Sequence, residues 1–314
     1  MQSMNGLELA RGFYEEYGAP MLHVQFPALE EIIAVGLAGS GSECFGFDDE
    51  VSRDHDFEPG FCLFLPDEEV IDRRTEFLLE RAYAKLPKEY GGVPRLKISP
   101  VGGSRHGVIR MDDFFTARIG RKDGFRDDME WFSVPEHYLA EVTNGQVFRD
   151  DVGQFTAIRR KLSRQPADVR KKKLAGQLLL MAQSGQYNYP RCLSHGETAA
   201  AQLAVFEFVN SALAVIFLLN ERYLPYYKWR FRALRELPLL SELALPLERL
   251  MTTDNRCAEE KIAAIEDISG AIIGQLQAQA LTEAVCGDLE KHAYSVNDKI
   301  ANANLRNLSI LFAV

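Results

Sequence analysis

Apolar positions along the first third of the chain alternate between helical and extended patterns. From residue 6 to 17, Leu7, Leu9, Ala10 and Phe13 recur at helical spacing, and Gly18, Ala19 and Pro20 stop the run. Residues 32–37 are apolar throughout, the signature of a short buried strand, and lead straight into Gly39-Ser40-Gly41-Ser42. A second extended run, residues 54–65, is interrupted by Pro59-Gly60, which in a strand marks an edge, a bulge or a break. Residues 67–86 predict a helix with acids in its first turn, Val70, Phe77, Leu78, Ala82 and Leu86 as its buried stripe, and Pro87 as its end. Strands at 95–99 and 106–111 follow, separated by the turn formers Pro100, Gly102 and Gly103.

Beyond about residue 130 the period is helical almost everywhere: 135–144, 153–164, 167–183, 197–220, 227–236, 259–279 and 283–303. Leu203, Phe206, Val209, Leu213 and Phe217 form one core stripe, and Ile262, Ile265, Ile272 and Leu276 another. The polar, Gly-containing stretch 120–129 reads as a linker. The pattern therefore predicts an α+β chain, with a small mixed-sheet domain over 1–129 and a helical bundle over 130–314.

Length agrees, since 314 residues can fill two ordinary domains. With 46% hydrophobic and 26% charged residues, disorder is excluded. No run approaches the roughly 18 uninterrupted apolar residues of a membrane span, and the N-terminus lacks the basic and apolar blocks of a signal peptide. A cytoplasmic protein without a membrane partner is the expectation. Five scattered cysteines without a CxxC pair argue for reduced thiols and against a structural zinc site. A net charge of -9 makes nucleic acid an unlikely partner, because duplex affinity rests on many Lys and Arg contacts to phosphates.

Chemistry concentrates in residues 39–58, GSGSECFGFDDEVSRDHDFE. Asp54 and Asp56 stand two apart, so on a strand they share a face about 6.6 Å apart at Cα. Two carboxylates so placed suit Mg²⁺, which takes oxygen ligands. Around Gly39, Ser40, Gly41 and Ser42, backbone N–H groups can close on a phosphate without Cβ obstruction, and the two hydroxyls add donors. Asp48, Asp49 and Glu50 read as a solvated acidic loop, and Glu58 would share the Asp54 face if Pro59 leaves its direction intact.

A buried strand, Gly-Ser, a gap of about a dozen residues and Asp-x-Asp resemble the signature of the DNA polymerase beta-like nucleotidyltransferases. More narrowly, GSGSECFGFDDEVSRDHD, LNERYLPYYKW and the terminal VNDKIANANLRNL resemble the DUF4037 family, relatives of the kanamycin nucleotidyltransferase group, over most of the chain. That resemblance implies that Gly41 and Ser42 hold a nucleoside triphosphate, ATP first among candidates, and that Asp54 and Asp56 carry Mg²⁺. His55 departs from the pattern, which places an apolar residue between the acids; packing is its expected role.

The same resemblance implies a third carboxylate on a neighbouring strand. The expected strands 95–99 and 106–111 hold no acid. Asp112 follows directly and is the catalytic candidate, with Asp113, Glu130 and Glu136 as alternatives; each also reads as a helix-cap or surface acid, and none is singled out as the general base. In the helical half, Lys228 lies among Tyr223, Tyr226, Tyr227 and Trp229 as a point charge for a β or γ phosphate, while the aromatics read equally as packing around Pro225. Arg170 to Lys173 form a basic run that reads as a solvated face, and Arg191 and His195 sit at a helix entry.

The expected activity is Mg²⁺-dependent transfer of a nucleoside monophosphate to an unidentified small-molecule or protein acceptor. A catalytically inactive nucleotide-binding regulator with the same fold is the alternative.

Overall fold

The computed structural model describes residues 4–49, 57–95 and 105–314. It is α+β, with a small mixed sheet and many helices. The chain divides into two compact units, Met1–Arg126 with His137–Ser163, and Asp127–Glu136 with Arg164–Val314. The division differs from the expected boundary after residue 129, because the sheet recruits a strand from beyond it.

In the first unit the strands are β1 (Ala34–Leu37), β2 (Cys62–Leu65), the short hairpin β3 (Glu89–Tyr90) and β4 (Val93–Pro94), β5 (Gly107–Arg110) and β6 (Gln146–Arg149). Four make one sheet in the order β5-β2-β1-β6. β1 runs antiparallel to β2 and β6, whereas β2 and β5 are parallel. Every residue of β1 and β2 is buried. Both faces are covered, which is why these strands read as unbroken apolar runs rather than alternating ones.

On one face Val35, Leu63 and Leu65 meet Phe13 of α1 (Gly6–Phe13), Leu22 of α2 (Ala19–Gln25), and Leu79, Ala82 and Tyr83 of α4 (Arg73–Ala84). On the other, Phe64 packs on Phe114 of α5 (Met111–Ile119) and stacks on Phe155 of α7 (Gln154–Leu162), centroids 4.0 Å apart. A four-residue α3 (Ser42–Phe45) follows β1, and α6 (Glu136–Thr143) precedes β6.

Several sequence expectations shift here. Gly18-Ala19-Pro20 do not stop the first helix: a π-helical turn over Tyr14–Gly18 carries it into α2, whose first turn seats Pro20, where its missing N–H is not needed. Asp72 caps α4, so the helix starts later than residue 67, and its buried side is Leu79, Ala82 and Tyr83; Val70, Phe77 and Leu78 are exposed. The strand expected over 54–65 is reduced to β2 within the described residues, and the one expected at 95–99 lies outside them beyond Arg95.

The second unit comprises α8 (Ala167–Met181), a π-helical stretch (Ala182–Asn188), α9 (Tyr189–Ser194), α10 (Thr198–Leu219), α11 (Arg230–Leu234), α12 (Ala244–Thr252), α13 (Ala258–Ala278), α14 (Leu289–Asp298) and α15 (Ala303–Asn307). Its core joins Leu174 and Leu178 of α8, Phe208 and Ile216 of α10, Ile268 and Ile272 of α13, and Val296 of α14. Leu203 and Phe206, expected in that core, are exposed near the start of α10. By length and composition α10 could cross a membrane, but 67% of its most apolar window is buried. It serves as a core helix.

Candidate functional site

β1 ends at Leu37, and the register that sets Gly36 opposite Cys62 brings the start of β2 alongside. Beyond Ala38 the chain turns through Gly39, Ser40 and Gly41 into α3. This turn lines a cavity of about 190 Å³, together with Glu43, Cys44, Arg105, Ile109, Asp113, Phe114 and Arg118.

Gly39 adopts φ +134°, a conformation that L side chains rarely take. Its N–H donates to Asn144 Oδ1 at 2.9 Å, and its carbonyl accepts from Asn144 Nδ2 at 2.7 Å. One side chain thereby fixes both backbone polar groups of Gly39. Asn144 is placed in turn by Arg159, whose guanidinium caps the end of α6 through the carbonyls of Val142, Thr143 and Asn144. The next residue, Gly145, donates its N–H to the Cys44 carbonyl at 2.8 Å.

Arg118 supplies positive charge. A Cβ on Gly39 would stand 3.2 Å from its Nη2, so the guanidinium lies against the turn. It sits 4.3 Å from the Phe114 ring centroid and donates Nε to Glu141 at 3.1 Å. α5 makes this possible: it starts directly after β5 and returns Arg118 to the turn two helical turns later.

Glu43 supplies the opposite charge. It is 6% exposed, and its Oε1 has no hydrogen-bond partner among the described residues. Oε2 receives only a long contact of 3.5 Å from Ser42 Oγ. Beneath the turn Cys62 and Cys44 are enclosed, and burial pushes the Cys62 thiol up to about 12 and that of Cys44 well above its usual value.

Of the residues singled out from the sequence, Gly39, Ser40 and Gly41 line the cavity, and Ser42 opens α3. Asp54 and Asp56, with His55 and Glu50, lie outside the described residues. Glu58 bonds to His106 Nδ1 at 3.3 Å. Asp112 does not line the cavity; its carboxylate meets Lys122 at 3.2 Å and raises the ammonium's pKa, while its neighbour Asp113 faces the cavity. Asp48 is no free loop acid, since it accepts from the Gly6 N–H at 2.9 Å.

Lys228 and Glu136 belong to the second unit. Lys228 is exposed, with Nζ 4.9 Å from the Trp229 ring centroid, and Glu136 pairs with Lys173. Sequence reasoning missed Asn144, Arg118 and Glu43. Only Glu43 carried a local signal, standing next to Ser42 within the motif itself.

Among the described residues no three His, Cys, Asp or Glu side chains gather as a metal cluster. The unpartnered buried oxygen of Glu43, a residue that lines the same cavity as Asp113, is nevertheless the kind of hard donor a Mg²⁺ ion takes.

A family model described as a domain of unknown function, DUF4037, matches residues 131–230. That supports the DUF4037 resemblance for a stretch containing α6, β6, α7 and the helices through α10, and it does not reach residues 39–58. No curated protein matches the chain, and no solved structure does.

Proposed function

We propose that the chain is a Mg²⁺-dependent nucleotidyltransferase whose first unit grips the phosphates of a nucleoside triphosphate, ATP first among candidates. The observation that carries this reading is the turn after β1, a Gly39 peptide clamped on both sides by Asn144 and faced by the Arg118 guanidinium. A small, rigid loop without side-chain bulk, next to a planar cation, suits bidentate phosphate recognition.

Asp54 and Asp56 would hold Mg²⁺; Glu43 and Asp113, which line the cavity beside the turn, would be further acids. Bound there, the cation would stabilise charge on the attacking and leaving oxygens. The residues' own task is positioning. Arg118 and the Gly39–Gly41 backbone would orient the phosphates for in-line attack by an acceptor oxygen at the α-phosphorus. The new P–O bond replaces the bond to the bridging oxygen, pyrophosphate leaves with that electron pair, and the acceptor's proton passes to a carboxylate.

The test is radiolabel transfer or pyrophosphate release from an active preparation. Asp54→Asn and Asp56→Asn should each abolish turnover; unchanged NTP consumption by both would defeat the proposal.

A second reading is a nucleotide-binding regulator without turnover. It draws on β5, whose Gly-Val-Ile-Arg sequence offers no acid, and on the engagement of Asp112 by Lys122. Calorimetric ATP binding without pyrophosphate release would favour it.

A further inference from the structure

Among the described residues of the first unit, Glu43 carries a buried side-chain oxygen without a hydrogen-bond partner. A carboxylate 6% exposed with an orphaned oxygen is unfavourable by an amount that ordinary packing does not offset. The surroundings nonetheless make room for it. At Gly41 a Cβ would come within 1.9 Å of Oε1 and 2.5 Å of Oε2, so the carboxylate folds back over the turn only because residue 41 has no side chain. At Gly6, a Cβ would meet the Glu43 Cβ at 2.4 Å, so the stem too rests on a glycine. The carboxylate is thereby packed against the turn, at the wall of the cavity that the turn lines.

That cavity is also lined by Arg105 and by Arg118, whose Nε bonds Glu141 while its Nη2 lies against the turn. Phosphates drawn in by the arginines would meet the Glu43 carboxylate as a like charge. A cation between them resolves the conflict, neutralising the carboxylate and the phosphate oxygens at once.

We propose that Glu43 is a ligand for a divalent cation entering this cavity with the phosphates of a nucleoside triphosphate. This rests on the phosphate-binding reading above and adds to it a carboxylate outside the Asp54/Asp56 pair.

Mn²⁺ is the probe, titrated into the full chain with ATP present and with ATP absent, and free Mn²⁺ followed by electron paramagnetic resonance. Wild type should bind Mn²⁺, and Glu43→Gln should weaken that affinity about tenfold or more, the scale at which lost metal-site groups act. Its melting temperature should not fall, because an unpartnered buried charge has been removed. If Glu43→Gln does not fold, Gly41→Ala replaces it, since the new Cβ displaces the carboxylate without removing it, and the same loss of Mn²⁺ is expected.

Wild-type affinity for Mn²⁺ in the variant overturns the inference, as does wild-type protein that takes up no Mn²⁺. Asp54→Asn with Asp56→Asn separates the two levels. If that double variant loses Mn²⁺·ATP while Glu43→Gln retains it, the role of Glu43 falls and the proposed function stands. If neither change affects ATP binding, both fall.

Discussion

Asn144 holds Gly39 by two hydrogen bonds, accepting from its N–H at 2.9 Å and donating to its carbonyl at 2.7 Å across 105 residues of chain. Asn144→Asp keeps the size and the acceptor but loses the donor, leaving the Gly39 carbonyl unpaired in a part-buried position. The expected loss is about 1–3 kcal/mol, the range for an orphaned buried polar group. Urea denaturation reads the stability and calorimetry the ATP affinity, which should fall in parallel. A variant as stable as wild type would mean that the clamp does not hold the turn.

Arg118 lies against the same peptide, so its substitutions separate charge from shape. Arg118→Lys keeps a cation beside Glu141 and should leave stability nearly intact, yet it loses the planar fork and the stacking on Phe114. ATP affinity should fall about tenfold, the scale set by one charge-assisted, bidentate contact. Arg118→Ala should do the same and also destabilise, because Glu141 is left enclosed without its partner. Unchanged ATP binding in both variants would remove Arg118 from the site.

The cysteines give a prediction independent of any ligand. Burial raises the Cys62 thiol to about 12 from its usual 9.0, so the folded state keeps a proton that the unfolded chain releases above pH 9. The unfolded state then binds fewer protons, and stability falls as pH rises from about 9 to about 12, by about 1.4 kcal/mol per unit from this group. Alkylation with iodoacetamide at pH 8, mapped by mass spectrometry, should spare Cys62 and Cys44 in native protein and label them in urea. Labelling of Cys62 at the rate of the half-buried Cys192, Cys257 and Cys286 would contradict its enclosure.

Much of the first unit was legible because its strands are covered on both faces, and a run such as residues 32–37 admits few other readings. The strand at β6 was not. Gln146–Arg149 is four residues long, none of them fully buried, and it lies between two strong helical patterns, so no local period betrays it. The phase of α4 was misread for a related reason. Phe77 and Leu78 are apolar, but tertiary packing chose the side carrying Leu79, Ala82 and Tyr83.

At the site, the Gly-Ser turn could be read from its composition. Asn144 and Arg118 could not, since long-range contacts bring them there and each residue type is common on surfaces.

The basic run from Arg170 to Lys173 shows what composition hides, and it carries the last prediction. Four consecutive cations on a helix point in four directions, so a solvated face cannot hold them all once the helix is central. Here α8 is surrounded within its own unit. Arg170 meets Glu221, Lys171 meets Asp168 and the Lys299 carbonyl, and Lys173 meets Glu136. Lys172 is fully buried without a carboxylate, donating to Asn297 Oδ1, the Arg306 carbonyl and the Leu308 carbonyl at 2.9, 3.3 and 2.8 Å. Lys172→Met preserves the volume of the side chain but leaves the Leu308 carbonyl and the Asn297 amide oxygen without this donor. Arg306 still accepts from Asn297 Nδ2. Relief of the buried charge offsets part of the loss, so the net destabilisation should be about 1–3 kcal/mol, concentrated where the carbonyls are. Hydrogen exchange should quicken over residues 303–314 more than over α13, and Lys171→Met, which removes a half-buried cation, should do less. Equal exchange in Lys172→Met and wild type over 303–314 would show that the buried ammonium does not anchor that segment.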